Sequence, residues 1–80
     1  MTVCEAVSLR ITSLLKEKGM KQYQLEQKSG ILHGTMQCIV KARNKTVTLS
    51  TIMMIARGFD MTTLEFLDDE LFRSEELQIE

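Results

Sequence analysis

The residues with the most chemistry per unit length lie between positions 33 and 45. His33, Gly34, Gln37 and Lys41 recur at spacings of three and four, so a helix through them places all four on one side. Met36, Ile39 and Val40 fall on the other side and form an apolar face. On the polar side, the Gln37 amide offers a donor and an acceptor, the His33 ring offers a nitrogen of either kind, and Lys41 brings a fixed cation. Arg43, Asn44 and Lys45 follow at once, and no acid occurs anywhere from residue 27 to residue 59. Taken one at a time, Lys41, Arg43 and Lys45 read as a solvated loop and His33 as a surface histidine. Their convergence on one face beside an acid-free stretch points to an anionic partner.

The charge balance agrees. Residues 1–64 carry nine Lys/Arg against four Asp/Glu, a balance of +5, whereas residues 65–80 carry one arginine against seven acids, a balance of −6. The net charge of −1 therefore averages a basic body and an acidic end. A basic body directs attention to nucleic acid. At 80 residues, 44% apolar and 26% charged, the chain is expected to form one small globular domain. No apolar run nears the ~20 residues a membrane crossing needs. Glu5 interrupts the N-terminal stretch where a signal peptide has its apolar segment, so a cytoplasmic location is expected.

Other chemistries find little support. Cys4 and Cys38 are far apart, with no CxxC, and are expected as free thiols, although a disulfide stays open. With one histidine in the chain, no four-ligand metal set is legible, and no cofactor is implied. No nucleophile stands at a recognisable spacing from a base, and there is no phosphate-cradling glycine loop, so an enzyme is not expected.

Five helices must position these groups. Val7, Ile11, Leu14 and Leu15 mark a first helix over about 4–18, closed by Gly19. A second spans about 21–28, anchored by Leu25 and ended by Gly30, and a third spans about 33–41. The three residues between them force a sharp corner, with Ile31 as the plug beneath it. Thr48 caps a fourth helix whose apolar stripe is Leu49, Ile52, Met53, Ala56 and Phe59, with Gly58 helping to end it. Thr62-Thr63-Leu64-Glu65 has capping-box spacing for a fifth, flanked by a Met61–Phe66 staple and continuing to about residue 69 or 70. Residues 71–80 are either a sixth helix or a loose acidic tail. No strand alternation appears, so the expected class is all-α, a compact bundle of five short helices.

In this order the chain resembles the lambda-repressor-like, Cro/XRE-type helix-turn-helix family over about residues 9–67. The family's G-L-S-Q-E-E-L-A-x-x-S-G-V-S is matched by Gly19-Met20-Lys21-Gln22-Tyr23-Gln24-Leu25-Glu26-Gln27-Lys28-Ser29-Gly30-Ile31-Leu32. Thr48-Leu49-Ser50-Thr51-Ile52, Ile55-Ala56 and Thr62-Thr63-Leu64-Glu65-Phe66 resemble its later T-L-x-T-L, I-A and S-x-x-E-L-F. The resemblance implies a DNA-binding domain over 1–70 with an acidic extension over 71–80. It further implies a regulator, a repressor, that binds a palindromic operator in double-stranded DNA as a homodimer. The fifth helix, with Leu67, Leu71 and Phe72, is the candidate dimer surface.

By the same resemblance the third helix enters the major groove and the second crosses above the backbone. Gln37 would then pair with an adenine edge and His33 donate to a guanine acceptor. Gly34 either lets the backbone approach DNA closely or is simply tolerated at a helix start. Gln22 would bond a phosphate, and Lys41, Arg43, Asn44, Lys45 and the helix start at Thr48 would meet the backbone, with Thr35 completing the contact set. A second function of the fold, as a protein-interaction module docking through the acidic end, is motivated by departures from the family pattern. Glu26 stands in place of a small alanine and is expected to bend its carboxylate to solvent or hold the two helices apart. Lys21 and Leu32 stand where caps belong, at ~1 kcal/mol each. Val40-Lys41-Ala42 replaces E-x-G, and the proline before the fourth helix is missing.

Overall fold

The computed structural model describes residues 1–79 as an all-helical bundle. Five α-helices run α1 Val3–Lys18, α2 Gln22–Ser29, α3 His33–Val40, α4 Leu49–Gly58 and α5 Thr63–Leu67, followed by a 3-10 turn at Glu70–Phe72. The core gathers one face of each: Val7, Ile11 and Leu14 from α1, Leu25 from α2, and Met36 and Ile39 from α3. Ile52, Ile55, Ala56 and Phe59 close it from α4, and Phe66 from α5. α2 packs on α4 and α1 on α3, so the two helices of the corner are held from opposite sides.

The helix ends follow from local chemistry. Thr2 and Glu5 form a capping box at α1 that the sequence reading passed over, and Thr62 and Glu65 form the expected one at α5. Thr48 caps α4 by accepting from the Thr51 amide at 3.2 Å. Leu32 supplies no cap to α3, as expected. Lys21 lacks one too, but Gln24 Oε1 reaches back to accept from the Lys21 amide at 2.8 Å, which restores half of a capping box.

Several expectations are corrected. The stripe of α4 is Ile52, Ile55, Ala56 and Phe59, while Leu49 and Met53 are exposed. Gly58 acts less as a terminator than as a contact. A Cβ there would stand 2.7 Å from Leu25 Cδ1 and 3.1 Å from Ser29 Cβ, so its absence lets α2 and α4 meet. The reversal after α4 falls to Asp60 at φ 58°. α5 stops at Leu67, short of 69–70, because Arg10 takes the carbonyls that a longer helix would use. Its Nε donates to the Phe66 carbonyl at 2.7 Å and its Nη2 to the Glu65 carbonyl at 3.0 Å. Asp69 meanwhile caps the 3-10 turn through the Leu71 amide at 3.0 Å.

Residues 71–79 are neither a sixth α-helix nor loose. Phe72 packs against Phe66 with ring centroids 6.2 Å apart, and Gln78 pairs with the N-terminal backbone through Val3 N to Gln78 O at 2.8 Å and Gln78 N to Met1 O at 2.9 Å. Of Leu67, Leu71 and Phe72, expected at a dimer surface, all three are half-buried, and Leu67 and Phe72 pack against the chain's own core.

Candidate nucleic-acid interface

The corner is built from three residues. Gly30 takes φ 78°, a left-handed conformation that a side chain disfavours, and its amide donates to the Glu26 carbonyl at 2.9 Å. The Ser29 hydroxyl accepts from the Ile31 amide at 3.2 Å, and Ile31 is buried as the expected plug. α3 is then fixed along its length by Met36 and Ile39 in the core and by the Ser8 hydroxyl of α1, which donates to the Val40 carbonyl. Lys41 is its C-cap rather than its last turn. The helix closes with Arg43 N to Cys38 O at 2.8 Å and Ala42 N to Ile39 O at 3.1 Å, a Schellman arrangement. The left-handed residue there is Ala42, at φ 53°, where the resembled family has glycine.

So anchored, α3 turns His33, Gly34, Thr35, Cys38 and Lys41 to the exterior, with Gln37 half-buried at the edge. Gly34 has open space where a Cβ would be, so nothing inside the fold requires glycine there. Cys4 is buried and Cys38 exposed, and both are free thiols.

A polar chain crosses from α2 to α3. Gln22 Nε2 donates to Glu26 Oε2 at 2.9 Å, His33 Nδ1 lies 2.9 Å from the same oxygen, and Gln37 Nε2 lies 3.4 Å from His33 Nε2. Glu26 is neither swung to solvent nor a wedge between helices. Its side chain is only 12% exposed and bridges the two helices. The Gln22 hydrogen bond, with a smaller part from His33, lowers its carboxyl below the ordinary carboxylate value despite partial desolvation.

The loop after α3 divides the remaining candidates. Lys41, Arg43 and Lys45 are exposed, and among the described residues none of them forms a salt bridge, unlike Lys28, which pairs with Asp60 at 2.5 Å. Asn44 is half-buried and donates to the Thr46 carbonyl at 2.8 Å, which ties its amide to the loop. Thr48 and Thr35 meet across a hollow between the start of α4 and the flank of α3, which Cys38 and Thr51 also line. Lys41 and Lys45 share a second hollow with Thr2 and Ile79. Gln22, His33 and Gln37 are thus brought into one chain, and Lys41, Arg43 and Lys45 into one cationic rim.

Two residues at this face escaped the sequence reading. In sequence Glu26 reads as a packing defect, although its i,i+4 relation to Gln22 is legible. Cys38 reads in sequence only as a thiol, although it shares a face with Gly34 and Lys41 at spacings of four and three.

The fold and this geometry meet an independent comparison. A family model for the Cro/C1-type HTH DNA-binding domain matches residues 10–70, three-quarters of the chain. The chain belongs to that family. No curated protein and no solved structure matches it. As a Cro/C1-type domain its partner is DNA, and α2 and α3 are the helix-turn-helix. Among the described residues no three His, Cys, Asp or Glu side chains are grouped to hold a metal, and no helix is long and apolar enough to cross a membrane.

Proposed function

We propose that this Cro/C1-type domain is a sequence-specific transcriptional regulator that reads a palindromic operator as a homodimer and represses by occupying it. The observation that carries this reading is the outward face of α3. There the Gln22–Glu26–His33–Gln37 chain aims hydrogen-bonding groups, beside a rim of three cations that form no salt bridge among the described residues. In this reading His33, Gly34, Thr35 and Gln37 meet base edges, while Gln22, Lys41, Arg43, Lys45 and the start of α4 at Thr48 meet phosphates. Asn44 serves by shaping the loop rather than by direct contact.

Dimerisation follows from length. An eight-residue helix is about 12 Å long and spans only a few base pairs, too few to single out a genomic site. Two half-sites about one helical turn apart supply the missing discrimination. With Leu67 and Phe72 used internally, the surface we assign to the partner copy is the outer side of α5 centred on Leu64, which is 80% exposed.

The test is binding to selected duplexes at graded salt. A steep salt slope is expected. Gln37→Ala should relax preference at one base pair, and Lys41→Ala should weaken all sequences alike and reduce the slope by about 1. Affinity indifferent to salt would refute the reading.

A second reading keeps the DNA-binding fold and adds a protein partner at the acidic end. It is favoured by Glu75 and Glu76, both exposed and without an ion pair among the described residues. Because Phe72 and Gln78 are part of the fold, deleting 71–80 would confound the test. Glu75→Gln with Glu76→Gln is the cleaner variant, and a gain in DNA affinity would mark the acids as an electrostatic brake.

A further inference from the structure

The polar chain across α2 and α3 determines more than orientation. An ionised carboxylate can only accept hydrogen bonds, and Glu26 Oε2 already accepts from Gln22 Nε2 at 2.9 Å. His33 Nδ1, 2.9 Å from the same oxygen, must therefore carry the proton of that contact. In a neutral imidazole the proton sits on one nitrogen only, which leaves Nε2 as an acceptor. The neighbouring atom agrees, because Gln37 places its Nε2, a donor, 3.4 Å from His33 Nε2. The ring is 67% exposed on the outer side of α3, and among the described residues the contact at its Nε2 is that long one from Gln37, which a ligand can displace.

We infer that Glu26 is a specificity-determining positioning residue, which locks the proton of His33 on Nδ1 and so makes the ring a reader of base amino groups. The partner of Nε2 is then the exocyclic amine of cytosine or adenine, the major-groove donors, and not the O6 or N7 acceptors of guanine. This reverses the polarity that the sequence alone suggested for His33. A base amine entering there replaces the 3.4 Å contact from Gln37 Nε2, because the bare imidazole nitrogen has one lone pair, and leaves the Gln37 amide free for its own base edge. Glu26 touches no base in this scheme. It acts through a histidine seven residues away, from a position where the resembled family carries alanine, so the preference it imposes is a property of this chain. Glu26 is the charged group in contact with the ring among the described residues.

The inference rests on the proposed DNA-reading role of α3, and its test separates the two. Long-range proton–nitrogen spectra of the free protein at pH 8.5 report which ring nitrogen of His33 is protonated, without any DNA. Wild type should show a protonated Nδ1 and a bare Nε2. Glu26→Ala should move the population toward the Nε2–H form while circular dichroism and melting show a folded helix bundle. Selection from a randomised duplex library, run on both proteins at one salt concentration, should then show a change at a single base pair per half-site. Wild type should favour a cytosine or adenine amine there, and Glu26→Ala should lose that preference by on the order of fivefold, with an unchanged salt slope. A wild-type ring protonated on Nε2, or a tautomer that ignores Glu26→Ala, would overturn the inference and leave DNA reading intact. So would a switched tautomer with unchanged base preference. Failure of the wild type to bind any duplex would remove the proposed function and this inference together, and the nitrogen spectrum would still show whether the lock exists.

Discussion

The two ends of the charge distribution are handled in opposite ways. At the acidic end, Asp69 pairs with Arg10 at 3.2 Å, Glu70 pairs with Arg73 at 3.1 Å, and Asp68 also contacts Arg73. Arg10, with its side chain 11% exposed, further donates to two α5 carbonyls and lies 5.9 Å from the Phe66 ring centroid. On the loop after α3, Lys41, Arg43 and Lys45 have no such partners among the described residues. Charges of the first kind are spent on holding α1, α5 and the C-terminal turn together. Those of the second form no salt bridge among the described residues, and in the proposed function they are the ones left for an external anion. Local count of charges does not separate the two; partner geometry does.

That contrast can be broken most directly at the loop. Replacing Lys41, Arg43 and Lys45 together by alanine should leave the melting temperature nearly unchanged. DNA affinity should fall by roughly a hundredfold at moderate salt, with the salt slope reduced by about 3. Arg10→Ala should do the reverse, costing about 2 kcal/mol in chemical denaturation, because two helix carbonyls and Asp69 lose their donor. The partly exposed Asp69 contributes the smaller share of that loss. Affinity measured well below its melting point should stay near wild type, and an affinity loss like that of the loop variant would collapse the distinction.

Two single-residue changes sharpen it further. Gly34→Ala fills open space and should stabilise the free protein by about 1 kcal/mol, yet weaken DNA binding if the bare backbone is what approaches the duplex. Ala42→Gly relieves a left-handed alanine and should stabilise by about 0.5–1 kcal/mol without touching affinity. Denaturation curves paired with binding isotherms check both.

The smallest effect is on pH. Glu5 and Glu65 are lowered by their capping bonds to Thr2 and Thr62, Glu26 chiefly by Gln22, and Asp60 by Lys28. A carboxyl with a lower pKa folded than unfolded leaves the native state holding fewer protons. Its contribution is complete above the unfolded value and disappears as pH falls through the lowered folded one. Melting temperature should therefore be flat near neutrality and decline as pH drops below about 4.5, and Glu65→Gln should flatten part of that decline.

Much of the fold was legible because it is written in local terms. The periodicity of Val7, Ile11 and Leu14, the left-handed Gly19 and Gly30, the Thr48 cap and the Thr62–Glu65 box each involve residues within one turn or two. Most of what is misread involves partners distant in the chain. Leu49 and Met53 fit the apolar spacing of α4 but face away, because α2 and α5 cover only the side of Ile52, Ile55 and Ala56. The early end of α5 depends on Arg10, more than fifty residues upstream. The candidate interface divides the same way. The outward set on α3 followed from helical spacing, whereas the tie of Asn44 to its loop and the bridge through Glu26 required knowing where the loop and the second helix lie.

By itself the sequence determined five helices, their caps, the corner at Gly30 and the cationic run beside it, since backbone preference and periodic burial act between near neighbours. Only the tertiary structure decided which charges are consumed and which are left over. It also decided that Glu26 joins α2 to α3 instead of dividing them, because a hydrogen bond depends on where two atoms finish in space.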